Sequence, residues 1–82
     1  MKILVNVKIP AIQKEIDMLI PDFLPMRDAT IMTVEALAEE FGDIYPASGE
    51  EVFCHVDSNR VLAMDSTLEE NAVKNGDTLI LI

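Results

Sequence analysis

The sequence has few of the residue types that metal sites and several classes of partner require. Its 82 residues include one cysteine, one histidine and six basic side chains, against fifteen acidic ones. Structural zinc needs four protein ligands and a disulfide needs two cysteines, so we expect no metal and no internal disulfide. The net charge of −9 repels nucleic-acid phosphates and anionic lipids, so we expect no nucleic-acid partner. No apolar run approaches the roughly 20 residues that cross a bilayer, which predicts no direct membrane insertion and a cytoplasmic location.

The rest of the composition is typical of one small folded domain. Half of the residues are apolar and 5% are aromatic, which favours a core of Ile, Leu, Val and Met over a disordered chain. A folded chain of this mass is expected to expose roughly 4,900 Å² of surface. We therefore predict a single domain over residues 1–82.

Alternation of apolar and polar residues predicts β-strands at both ends of the chain. The first two strands are separated by a loop at Pro10–Gln13, and the third and fourth by a turn at Asp57–Arg60. A turn at Lys74–Asp77 precedes the last strand. The five predicted strands are Lys2–Ile9, Glu15–Ile20, Val52–Val56, Val61–Met64 and Thr78–Ile82.

One segment, Pro25–Phe41, has the length and the 3.6-residue period of an amphipathic helix. Gly42 is predicted to end it in a left-handed conformation. Ser66 or Thr67 is predicted to cap a single helical turn further on. The predicted inner face of the helix consists of Met26, Thr30, Ile31, Val34, Leu37, Ala38 and Phe41. The order ββαββ(turn)β predicts an α+β fold with a mixed sheet packed on one helix, which is the β-grasp or ubiquitin-like roll.

Several stretches carry a resemblance to known families. Met1–Val7 looks like the opening strand of ubiquitin, and Val61–Ile82 is similar to its closing half. Ile16–Met26, which enters the helix through Pro25, and the ending Asn75–Leu81 resemble the YukD/EsaB family of small ubiquitin-like proteins. That family is encoded with the type VII (WXG100) secretion systems of Gram-positive bacteria. The resemblance implies an accessory or regulatory role in secretion, exerted by binding a protein of the secretion machinery.

Conjugation chemistry is not expected of this chain. Ubiquitin-type conjugation and sulfur transfer need a flexible C-terminal Gly-Gly, whereas this sequence ends Thr78–Ile82, inside the last predicted strand. The alternative is a ubiquitin-like modifier or carrier protein, if the natural chain extends beyond Ile82.

Catalysis and cofactors are not expected either. Cys54 and His55 are neighbours on a strand and point to opposite faces, which predicts a core thiol and a surface imidazole.

Two surfaces are candidates for protein binding. If the odd-numbered residues of the first and last strands face the helix, then Leu4, Ile80 and Ile82 lie on the opposite sheet face. Ubiquitin uses the corresponding face for recognition through a small apolar patch, so the resemblance implies a protein-binding patch here. A weak homodimer through this face stays open as an alternative to a monomer.

The second candidate is a group of acidic side chains near the end of the helix and in the following loop. They are Glu39, Glu40, Asp43, Glu50 and Glu51. Their spacing does not match a calcium-binding loop. They form either a solvated face or a docking rim for a basic partner.

Overall fold

The computed structural model describes all 82 residues, Met1 to Ile82, and its elements follow the predicted order. They are β1 (Lys2–Ile9), a 3-10 turn (Pro10–Ile12), β2 (Lys14–Pro21), α1 (Met26–Phe41), β3 (Phe53–His55), β4 (Arg60–Val61) and β5 (Thr78–Leu81). The strands form one sheet in the order β2-β1-β5-β3-β4. β1 and β5 are parallel, and the other neighbouring pairs are antiparallel. The predicted mixed sheet with one helix is therefore confirmed.

The core lies between the sheet and α1, and the alternation of β1 decides which residues enter it. All four odd-numbered residues from Ile3 to Ile9 are buried, as the pattern predicted. The last strand contributes Leu79 and Leu81 to the same side. The accessible surface is 4933 Å², in agreement with the value expected from the mass. No helix is both long enough and apolar enough to span a membrane.

The inner face of α1 differs from the prediction. Ile31 and Ala38 were expected inside and are exposed, whereas Ala29 and Thr33 are fully buried. The Thr33 hydroxyl donates to the Ala29 carbonyl oxygen at 2.8 Å. Because that bond satisfies the hydroxyl within the helix, threonine is accepted in the core.

The turns show which residues accept unusual backbone angles. Asn59 has φ 55° in the turn between β3 and β4, as its residue type predicted. Gly42, by contrast, has φ −54° and ψ −29°, so the predicted left-handed helix end is wrong.

Thr67 and Glu70 form a capping box, in which each backbone amide donates to the other residue's side-chain oxygen. This confirms the predicted capped turn before β5.

The two short strands are shorter than the sequence pattern indicated. β3 covers Phe53–His55 within the predicted Val52–Val56, and β4 covers only Arg60–Val61 instead of Val61–Met64. Leu62 nevertheless donates its amide to the Phe53 carbonyl oxygen at 2.8 Å. The chain therefore leaves the sheet soon after β4 and crosses toward the capped turn.

We predict that Gly42→Ala destabilises the protein, although Gly42 has ordinary helical angles. A Cβ atom at this position would collide with the backbone oxygen of Ala38, which cannot move without distorting α1. The expected loss is about 1 kcal/mol or more of the free energy of unfolding, measured by urea denaturation. Unchanged or increased stability would contradict the prediction, because alanine normally stabilises a helical position of this kind.

Candidate functional site

The outer face of the sheet, turned away from α1, holds the predicted apolar patch, and the strand register divides that patch in two. Lys8 of β1 lies beside Ile80 of β5, and Asn6 lies beside Thr78. Leu4 is four residues from Lys8 along β1, or about 13 Å at the usual rise per residue. Leu4 therefore does not belong to the same cluster as Ile80.

Leu4 has a different neighbour on this face. It lies opposite Leu19 of β2, and the two side chains are 44% and 59% exposed. Asn6 and Asp17 form the next pair along these strands, where the Asn6 side-chain amide donates to Asp17 Oδ1 at 3.2 Å. A polar row thus separates Leu4 and Leu19 from the apolar residues at the other end of the face.

Ile80 and Ile82 are part of a second apolar cluster. Ile80 is paired with Cys54 of β3, and Cys54 with Val61 of β4, so these side chains share the outer face. Val61 is 62% exposed and Ile82 is 59% exposed. We call Cys54, Val61, Ile80 and Ile82 the outer-face patch. The predicted core position of Cys54 is wrong, because the thiol side of β3 is this half-exposed face.

His55 is buried, with 4% of its side chain exposed, so the predicted surface imidazole is also wrong. Its Nδ1 lies 2.8 Å from the Ser58 hydroxyl, and its Nε2 lies 2.9 Å from Asp77 Oδ2. The same Asp77 oxygen accepts the Lys74 amide at 3.0 Å. Hydrogen bonds from the Lys74 amide and then from His55 lower the pKa of Asp77. The imidazole therefore ties the β3–β4 turn to the turn that precedes β5.

This histidine also marks the place where a metal ion could bind. Ligand atoms of His55, Asp57 and Asp77 lie within 4.8 Å of one another. His55 Nε2 and Asp77 Oδ2 are hydrogen-bonded to each other, so an ion would have to replace that bond. As it stands, the arrangement holds two turns together through both ring nitrogens of His55. Strand alternation could have located His55, because it has the same parity as the core residue Phe53.

Glu51 does not belong to the acidic rim that the sequence predicted. Only 7% of it is exposed, and its carboxylate accepts the Tyr45 hydroxyl at 2.8 Å and the Ser48 and Gly49 amides at 2.9 and 3.0 Å. Burial raises the pKa of Glu51, but the hydrogen bonds from Ser48, Tyr45 and Gly49 outweigh it and leave the pKa lowered. Burial, and then the bond to this carboxylate, raise the pKa of Tyr45. Glu51 therefore orders the loop after α1.

The other predicted rim residues are exposed. Glu39, Glu40 and Asp43 line a shallow depression of about 380 Å³ at the end of α1, and Glu50 lies on the following loop. The last turn of the helix contains no basic residue. Carboxylates at this end repel the negative end of the helix dipole, so the arrangement is unfavourable in the isolated protein. A cation brought by a partner would relieve that repulsion.

We predict that Glu51→Gln lowers the free energy of unfolding at pH 7 by about 1.5–3 kcal/mol, because a charged hydrogen-bond acceptor is lost. The folded-state pKa of Glu51 is lowered from 4.5, so its stabilisation is complete above that value and decreases as the pH falls through the folded-state pKa. The difference between wild type and variant should therefore narrow at acid pH in denaturation curves. Exposed Glu50→Gln is the matched control and should change stability by less than about 0.5 kcal/mol. A difference that is independent of pH would contradict the assignment.

We predict that Glu40→Gln stabilises the isolated protein by about 0.3–1 kcal/mol at low ionic strength, since it removes a negative charge near the negative end of α1. Glu40 has no ion-pair partner that the substitution would break. Thermal unfolding at low and high salt measures the effect, which should shrink in salt. Glu35→Gln, in the middle of α1, is the control and should have a smaller effect. A lower melting temperature for Glu40→Gln would refute the electrostatic argument.

Comparison with known proteins identifies the relatives of this fold. The family model described as "WXG100 protein secretion system (Wss), protein YukD" matches residues 4–81. The ubiquitin-like domain of the Mycobacterium tuberculosis type VII secretion system protein ECCD1 is 24% identical, with 100% of this chain and 98% of that chain covered and a TM-score of 0.75. The EccD5 ubiquitin-like domain from Mycobacterium xenopi is 21% identical, with 100% and 93% covered and a TM-score of 0.73.

A much longer relative contains the same fold. A chain of the MycP5-free ESX-5 inner membrane complex is 24% identical, with a TM-score of 0.72, and the match covers 99% of this chain but 20% of that one. No curated protein matches this sequence significantly. The structural likenesses confirm the predicted ubiquitin-like β-grasp fold. Since the family model extends over nearly the whole sequence, the chain belongs to the YukD family of WXG100 secretion system proteins.

Proposed function

We propose that this protein is a non-catalytic ubiquitin-like adaptor, with an accessory or regulatory role in a type VII secretion system. It acts in the cytoplasm by binding a protein of the secretion machinery and not by conjugation. The observation that carries the proposal is the match of the YukD family model to residues 4–81. A domain of the same fold within a chain of the ESX-5 inner membrane complex supports the choice of partner. The proposed partner is therefore a component of the membrane-embedded machinery.

The outer-face patch is the proposed main contact. It lies on the central and neighbouring strands β5, β3 and β4, whose backbone hydrogen bonds fix the positions of its side chains. Ile82 continues this pairing, since it exchanges two backbone hydrogen bonds with Val52 at 2.8 and 3.0 Å. Apolar side chains held on paired strands lose little conformational entropy on binding, and Val61 and Ile82 are the more exposed ones of this patch, which favours a protein-binding role.

The acidic rim is the proposed second contact. Its exposed members are Glu39, Glu40, Asp43 and Glu50. Exposed charges of one sign accelerate the encounter with an oppositely charged partner more than they strengthen the final complex. We therefore assign affinity to the outer-face patch and salt-dependent association to the rim.

The test is recovery of membrane proteins by the tagged protein after cross-linking in the native host. Wild type should recover a component of the secretion machinery, and Ile80→Ser/Ile82→Ser should recover it at least tenfold less, which corresponds to about 1.4 kcal/mol of binding energy. Leu4→Ser/Leu19→Ser is the matched control, because it removes two aliphatic side chains from the other end of the same face. That control should leave recovery unchanged.

Each other outcome rejects part of the proposal. Equal recovery by wild type and Ile80→Ser/Ile82→Ser would reject the outer-face patch, provided that circular dichroism shows both to be folded. Absence of any secretion component would reject the proposed function. Intact mass measurement of the protein from the host completes the test, since a covalent adduct with another protein would support the modifier alternative.

A further inference from the structure

The free edge of the sheet offers a binding surface separate from the outer-face patch. The hydrogen bonds of β1 show which way its backbone groups point. The Leu4 amide donates to Asn75 Oδ1 at 2.8 Å, and the Asn6 amide donates to the Asp77 carbonyl oxygen at 3.0 Å. These two amides therefore point toward β5 and away from β2. In an antiparallel pair, the residues opposite them likewise direct their backbone groups away from the shared ladder.

The residues opposite lie on β2, which has no strand on its other side. Leu19 is opposite Leu4, Asp17 is opposite Asn6, and Glu15 follows in the same alternation. The backbone N–H and C=O groups of Glu15, Asp17 and Leu19 thus point outward from the edge. None of them bonds to another segment of the chain. The edge therefore offers three donor–acceptor pairs in the spacing that an added strand requires.

A groove runs beside this edge on the helix side. Ile16 and Met18 alternate with the edge-directed residues and are half-buried toward α1. Together with Ala36 and Glu40 of α1 they line a depression of about 470 Å³. In a strand added to β2, every second side chain would point into this groove. Aliphatic side chains fit those positions, because Ile16, Met18 and Ala36 are apolar.

The charge around the edge indicates which residues suit the alternate positions of the incoming segment, whose side chains do not enter the groove. Glu15 and Asp17 are exposed on the outer face of β2, and Glu40 lies on the wall of the groove. Lys14 is the only cation on β2 and lies at its hairpin end. A second copy of this chain would bring a further net charge of −9 to the same edge. Complementarity therefore favours basic side chains at the alternate positions of a different chain.

We propose that β2 binds an extended segment of a partner protein by strand addition, and that the segment alternates aliphatic with basic residues. The aliphatic residues occupy the groove over Ile16 and Met18, and the basic residues meet Glu15 and Asp17. This site goes beyond the proposed function, since it adds a third surface, beside the outer-face patch and the acidic rim, and its use does not depend on the outer-face patch.

The test distinguishes binding through the backbone groups of the β2 edge from binding through its negative charge alone. Asp17→Ala and Asp17→Pro both remove the carboxylate, but only proline also removes the edge N–H, and proline is tolerated where that N–H faces solvent. The probe is a capped heptapeptide of alternating lysine and valine, titrated into isotopically labelled protein and followed by NMR. We expect Asp17→Pro to weaken binding at least tenfold relative to Asp17→Ala. Shifts in the wild type should centre on Glu15, Asp17 and Leu19.

A second pair of variants, Glu15→Pro and Glu15→Ala, gives the same comparison if Asp17→Pro does not fold. A peptide of the same composition, with four lysines followed by three valines, tests the alternation and should bind at least tenfold more weakly. Equal binding by the two peptides, or by the proline and alanine variants, would overturn strand addition in favour of charge attraction alone. Shifts centred on Ile80 would also overturn it. Edge shifts that depend on protein concentration without peptide would show self-association instead.

Discussion

The parallel pairing of β1 with β5 holds Asn6 beside Thr78 at the centre of the sheet, and the other surfaces depend on this register. A parallel pair cannot be closed by a tight turn, so the chain between these strands must cross over through α1 and the short strands β3 and β4. The register then fixes which side chains of β5 face the helix and which face outward. It also fixes the direction of the β1 amides, and through them the free backbone groups of β2.

Local patterns were sufficient to predict most of the fold. Alternation identified β1, β2 and β5, because a strand with one buried face must repeat every two residues. The turn at Asn59 and a capped turn at Ser66 or Thr67 followed from residue types whose side chains bond to nearby backbone, and the structure assigns the cap to Thr67. The inner face of α1 was predicted less well, since Ile31 is more apolar than Thr33 and yet lies outside. The bond of the Thr33 hydroxyl to the Ala29 carbonyl oxygen removes the penalty of burying that hydroxyl.

The candidate sites depended on relations between distant segments, which the sequence does not display. Leu4 and Ile80 have the same orientation relative to the sheet, but their separation along it follows from the register alone. Glu51 sits among acidic neighbours and looks like a surface residue, whereas the Tyr45 hydroxyl and two loop amides bring its carboxylate inside. The side of the sheet on which His55 lies follows from alternation with Phe53, but its bond to Asp77 joins two turns that are distant in sequence. The polar side chains of Glu51 and His55 are both buried where several donors or acceptors meet them.

Glu51 is buried, but Glu15 and Asp17 of β2 are exposed and can act at the surface. An exposed edge strand such as β2 is a template for uncontrolled pairing, and charged side chains along it are a common protection. Glu15 and Asp17 provide that protection against a second copy, which carries the same charge. The same carboxylates attract a basic segment, so one electrostatic feature both suppresses self-pairing and selects a different partner. Glu40, at the negative end of α1, adds to that selection at a cost in stability that a bound cation would offset.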